Sequence, residues 1–266
     1  MKWTCRFAFL IALLGMAGAS AAHVFWLQIS EYHAKSGELL KLRFRVGDQF
    51  PGDVVPRNDA RIVKFVWAGP EGEKSVVGRD ADEVAGIAKF AAAGEYVFGY
   101  EGTPASISME AAKFDSYLEE EGLDKIKAMR ARAEPKPVAE IYSRCAKAIV
   151  NVGGAGGAVG FDRVLGLRLE LVLETSPEAA FASGVMAVKL LRDGKPLEGT
   201  LVKAHNSVDW AAPLAARTDA QGRVKLAISK PGVWVLNAVD MTAAPKDSKA
   251  DWESVWASLS FEVVSK

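Results

Sequence analysis

The chain has 266 residues, with 33 basic and 33 acidic side chains, three histidines and two cysteines. Balanced charge without a basic block gives nucleic acid no electrostatic footing as a partner. The length exceeds what one small domain needs and fits two modest ones.

Lys2 and Arg6 precede an apolar run from Phe7 to Leu14, and small residues follow up to Ala22, the order of a secretory signal peptide over residues 1–22. Cleavage after Ala22 makes His23 the first residue of the mature chain; cleavage after Ala21 satisfies the same small-residue rule and leaves Ala22 ahead of it. No later run reaches the ~18 apolar residues that span a bilayer, so no transmembrane segment is expected after cleavage and the expected location is the periplasm. The signal takes Lys2, Arg6 and Cys5 with it, leaving a net charge of −2 and a single cysteine, Cys145. With no internal disulfide available, packing must hold the fold.

Over residues 23–109 the pattern is that of half-buried strands. In Leu40-Lys41-Leu42-Arg43-Phe44-Arg45-Val46 the apolar residues fall on one face and the bases on the other. Similar signals at Val24–Ile29, Arg61–Trp67 and Gly94–Tyr100, separated by Gly-, Pro- and Asp-bearing turns, predict an antiparallel N-terminal β domain.

Residues 110–150 read as a helical insert. Phe114, Tyr117 and Leu118 stand at helical spacing before Gly122, a second helix is expected over Asp124–Ala133, and a third from Pro137 carries Ile141, Ala148 and Ile149 toward a core, with Cys145 inside it as a buried small residue. Residues 151–164 are a glycine-rich linker, with five glycines between Asn151 and Gly160. Over residues 165–266 alternation returns: Leu165, Leu167, Leu169, Leu171 and Leu173 face one way, Arg168, Glu170 and Glu174 the other. Asp193-Gly194 suits a tight hairpin, and strands at Val224–Ile228, Val233–Met241 and Trp256–Val264 complete a set of about six or seven. The expectation is a mostly β protein of two β-sandwich domains, immunoglobulin-like or carboxypeptidase-regulatory-like, with a helical insert between them.

A first-residue histidine joins a free α-amino group and an imidazole nitrogen in one chelate ring, which no internal histidine does alone. The chain has only His23, His33 and His205, so a nitrogen-rich site has few builders. His205 is a candidate to close the site with His23. His33, beside Glu31, Tyr32 and Lys35 in an expected turn, reads as surface. The pairs Asp209-Trp210 and Asp251-Trp252 suggest a binding face, but tryptophans near strand ends more often fill a core or a seam.

Several blocks together resemble a family of exported bacterial proteins associated with the periplasmic side of nickel or cobalt uptake. They are His23-Val24-Phe25-Trp26, Arg45 through Asp53 with Pro56-Arg57, Tyr117 through Leu123, Tyr142 through Ala148, Arg217-Thr218-Asp219, Pro231 through Trp234, and Asp251 through Leu259. The resemblance implies an exported metal-handling role. It also marks a departure, because family members often carry His-Met where this chain has Asp240-Met241; Asp240 still offers a carboxylate, which gives a site more oxygen character. The candidate ligands are therefore His23, His205 and Asp240, for a divalent nickel, cobalt or copper ion, with a membrane metal transporter as the expected partner.

No nucleophile elbow, Cys-x-x-Cys, His-Glu-x-x-His or phosphate-binding loop occurs, and the glycines at 154–157 follow an expected helix instead of a strand. No enzymatic activity is expected. A third, less favoured reading is an oxidative copper enzyme built on a histidine brace, against which the scarcity of further histidines argues. The reading opposed to metal binding is a metal-free structural or protein-interaction sandwich that meets an envelope partner through exposed strand edges.

Overall fold

The computed structural model describes residues 23–130, 136–154 and 159–265; the expected signal peptide and the centre of the glycine-rich linker lie outside the described residues. In chain order the first half carries β1 (Val24–Ile29), β2 (His33–Ala34), β3 (Leu39–Gly47), β4 (Asp53–Val55), β5 (Ile62–Gly69), β6 (Gly72–Ser75), β7 (Gly86–Lys89), β8 (Gly94–Gly102) and β9 (Ala105–Met109). Helices α1 (Ala111–Glu120) and α2 (Asp124–Arg130) follow, then the long β10 (Val138–Val152). The second half contains β11 (Leu169–Leu173), α3 (Pro177–Ser183), β12 (Met186–Arg192), β13 (Lys195–Pro196), β14 (Leu201–Asn206), β15 (Asp209–Arg217), β16 (Arg223–Leu226), β17 (Gly232–Ala243) and β18 (Trp252–Val263).

The protein is mostly β, and the strands among the described residues form three sheets. A ten-stranded sheet runs in the order β15-β14-β17-β18-β10-β8-β5-β6, with β2 and β9 also paired to β10. A four-stranded sheet joins β1, β4 and β7 around β3, and another joins β11, β13 and β16 around β12. The large sheet is continuous because β10 lies parallel to β18, from Glu140 opposite Trp252 to Ala148 opposite Ser260.

Strand alternation determines which small sheet covers which face of the large one. Ala146, Ala148, Val150 and Val152 of β10 join Phe65, Tyr96, Phe98 and Tyr100 in a core with Leu27, Leu40, Leu42 and Phe44 of the first small sheet. Cys145 and Ile149, on the opposite face of β10, join Leu236, Ala257, Leu259 and Phe261 against Leu169, Leu171, Val188 and Leu190 of the second. Two sandwiches thus share one sheet, with their partner layers on opposite faces. Helices α1 and α2 bury Phe114, Tyr117, Leu118 and Ile126 against Val138, Met241 and Trp252.

The third helix expected from Pro137 is instead β10. Its alanines, Lys147 and Glu140 favour a helix locally, but a strand covered on both faces along most of its length shows no polar alternation to mark it. Lys147 is buried there: its Nζ donates to Glu170 Oε1 at 2.8 Å and to the Arg163 carbonyl at 2.8 Å. Glu170 in turn accepts from the backbone N–H groups of Leu165, Gly166 and Leu167. The pair fastens the segment entering β11 to the middle of the large sheet.

Candidate metal centre at the start of the first strand

His23 precedes β1, whose Val24 lies opposite Gly47 at the end of β3. The turn between β3 and β4 returns to this point, and Asp48 Oδ2 stands 3.2 Å from His23 Nε2, both side chains well exposed. Gly52 is a requirement of that turn. Its φ is +68°, and a Cβ there would come within 2.5 Å of the Trp26 ring and 2.8 Å of the Val46 carbonyl oxygen. Arg45 props the turn, donating through Nε to Gln28 Oε1 at 2.6 Å and through Nη1 to the Gly52 carbonyl at 3.3 Å.

Beneath His23 lies an aromatic cluster. Trp26, fully buried, packs with its centroid 5.1 Å from Trp210 and 6.4 Å from Phe50, and its Nε1 has no hydrogen-bond partner among the described residues. Trp210 stacks on His205 at 4.7 Å. Val24 and Val235 close the cluster, which joins β1 to the second half of the chain.

His205 is buried, and both ring nitrogens face oxygen atoms: Nδ1 lies 3.1 Å from the Trp210 carbonyl and Nε2 lies 3.1 Å from Asn237 Oδ1. Asn237 reaches Glu121, which pairs with Lys203 at 2.7 Å. Burial, aided by Lys203, lowers the imidazole pKa, and burial raises that of Glu121. In either protonation state the two nitrogens of His205 are directed at protein groups, so no lone pair is presented to an incoming ion.

Asp240 lies elsewhere. His205 is opposite Val235 in the β14–β17 pairing and shares its face, and Asp240, five residues along β17, projects from the other face. There it pairs with Arg192 at 3.2 Å, while burial raises its pKa. The structure therefore does not bring His205 and Asp240 into one site. Among the described residues no group of three or more His, Cys, Asp or Glu side chains is arranged to hold a metal. What sequence reasoning missed is Asp48, whose signal was its place in a glycine-bounded turn beside the partner strand of β1.

The other singled-out residues have structural surroundings. His33 is half-buried in β2, not on an open turn, and its Nε2 is without a partner among the described residues. Trp210 and Trp252 are buried; Asp209 pairs with Lys230 at 2.6 Å, and Asp251 Oδ2 accepts from the Ala139 N–H. Cys145 is buried in β10, and desolvation pushes its thiol pKa up to about 12, so thiolate is scarce at neutral pH. No helix among the described residues is long and apolar enough to cross a membrane.

These features define a mostly β protein in which two sandwiches share a sheet, with a histidine displayed at the head of the first strand. The chain belongs to the family described as a domain of unknown function, DUF4198, which matches residues 20–242. No curated protein matches it. Among solved structures it is similar to the D0-D1 domain of intimin, at 14% identity and a TM-score of 0.21 over 90% of this chain and 98% of that one. It is also similar to a segment of two fibronectin type-III domains from chicken tenascin, at 11% identity and a TM-score of 0.19 over 86% of this chain and 95% of that one. Likenesses this distant carry no functional weight.

Proposed function

We propose that this is an exported periplasmic protein that binds a divalent transition metal, nickel or cobalt with copper as a further candidate, and serves a membrane metal transporter. The observation that supports this reading is the contact of Asp48 with His23 Nε2. A carboxylate drawn onto that nitrogen would hold the proton on Nε2 and leave the Nδ1 lone pair for a metal, as outer carboxylates do for metal-bound imidazoles. Nδ1 is the nitrogen that closes a ring with the α-amine of the same residue. The residues present fit a metal on one condition, that processing exposes the amine of His23. The amine and Nδ1 would then hold the ion and Asp48 would orient the ring, while His205 and Asp240 stay committed to Asn237, Trp210 and Arg192.

Mass spectrometry of the secreted form locates the cut, and His23 is expected to lead it. Calorimetry with Ni(II), Co(II) and Cu(II) is expected to show tight binding to that form and loss of binding when one residue is added ahead of His23. Equal affinity in both forms removes the terminal chelate. The second reading, a metal-free interaction module, is favoured by the engagement of His205 and Asp240 within the protein. It prevails if the correctly processed chain binds none of the three ions.

A further inference from the structure

A cavity of about 270 Å³ opens between the first small sheet and the large one, walled by Phe25, Phe44, Tyr100 and Tyr142 and bearing the guanidinium groups of Arg144 and Arg61. Among the described residues no acidic side chain lines it. Arg144 rises from β10 in the interval between two pairings, that of Ile149–Val152 with β8 and that of Val138–Tyr142 with β9, whose registers are offset by one residue. Its guanidinium lies 5.1 Å from the Phe25 ring centroid and 5.3 Å from that of Tyr142. Among the described residues no carboxylate pairs with it and no oxygen accepts a hydrogen bond from it. Arg61, exposed at the rim, donates to the Pro104 carbonyl at 3.1 Å.

A half-buried arginine with ring faces beside it and no acidic partner is an unusual arrangement. Cation–π contacts return part of the lost hydration, and the guanidinium nitrogens, which are not shut off from solvent, stay open to an acceptor that enters the cavity. The second large cavity, of about 300 Å³, shows the ordinary arrangement: it too carries charges, and there Arg217 pairs with Asp124 and Asp240 with Arg192. Desolvation also lowers the pKa of Arg144, the direction that an anion would reverse.

We propose that this cavity binds a small organic carboxylate whose apolar or aromatic body packs on Phe25, Phe44 and Tyr100 while its carboxylate takes the free donors of Arg144, with Arg61 at the mouth. The planar guanidinium matches a carboxylate in a two-bond contact, and the rings hold its plane fixed. Near the lower limit of ligand-site volumes, the space suits a body about the size of a single ring. The site lies on the β8–β10 side of the large sheet and depends neither on processing at His23 nor on a metal.

Phenylacetate is the probe, titrated into the full chain by calorimetry beside its neutral isostere phenylacetamide and inorganic sulfate. Saturable binding of phenylacetate, with phenylacetamide and sulfate at least about tenfold weaker, is the expected result. Arg144→Gln is expected to weaken phenylacetate by at least about tenfold. Since Arg144 lies in a central strand, Arg61→Gln at the rim serves as a second variant and is expected to weaken it severalfold without disturbing the fold. Absence of saturable binding, equal binding of acid and amide by the wild-type protein, or unchanged affinity in a folded Arg144→Gln protein would overturn the proposal.

Discussion

At His23 the decisive atom is Nε2, because the nitrogen that Asp48 engages determines which one remains for chelation. Asp48→Asn keeps the shape but supplies a weaker acceptor, and Ni(II) affinity of the processed protein is expected to fall about tenfold by calorimetry, the usual scale for an outer carboxylate. His205 makes a different prediction. Its folded pKa lies below the ordinary 6.5, so over the interval beneath 6.5 the unfolded chain takes up a proton that the folded protein refuses. Stability contributed by the neutral ring is complete above 6.5, is lost as pH falls through that interval, and levels off below the folded pKa. The carboxyl groups of Glu121 and Asp240, with raised pKa values, work in the opposite sense at lower pH. The drop in urea midpoint between pH 7.5 and pH 5.5 should therefore be smaller in His205→Gln than in the wild type; an equal drop in both would remove His205 as the cause.

Strand β10 marks where local sequence stops being informative. The alternation of Leu40 through Val46 was legible because one face of β3 is buried and the other is wet. So was helix α1, whose Phe114, Tyr117 and Leu118 face one core. In β10, by contrast, Ala146 and Ala148 are small because one layer presses on them, Cys145 and Ile149 meet the other, and position 147 accommodates a lysine because Glu170 waits across the sheet gap. Each of those reasons lies far along the chain, so the segment reads as a helix. For the candidate site, His23 was visible from its position alone. Asp48 and the opposed faces of His205 and Asp240 depend on strand register, which no single segment carries. The Lys147–Glu170 pair offers a test: Lys147→Met strands a buried carboxylate and should cost about 3 kcal/mol in urea unfolding, Glu170→Met also frees the N–H groups of Leu165, Gly166 and Leu167, and the double variant should cost clearly less than the sum of the two. A double variant as unstable as the sum of its parts would show that the pair stabilises by packing instead.

For the whole molecule, the parallel pairing of β10 with β18 and the packing of Trp26 on Trp210 bind the two halves along one sheet. They should not melt separately. Urea unfolding followed by tryptophan fluorescence and by far-ultraviolet circular dichroism is expected to give one coincident transition, and a fragment ending at residue 150 is expected to stay unfolded because β10 would lack its neighbour. Two resolved transitions, or a folded fragment, would separate the halves.

The position of β18 has a consequence for the order of events during synthesis. It comes last among the described strands, yet it occupies the middle of the large sheet, between β10 and β17. A nascent chain emerging from its N-terminus holds β10 with one flank bare until residues 252–263 arrive more than a hundred positions later. Closure therefore waits on a pairing distant in sequence, slow in the manner of such long-range contacts.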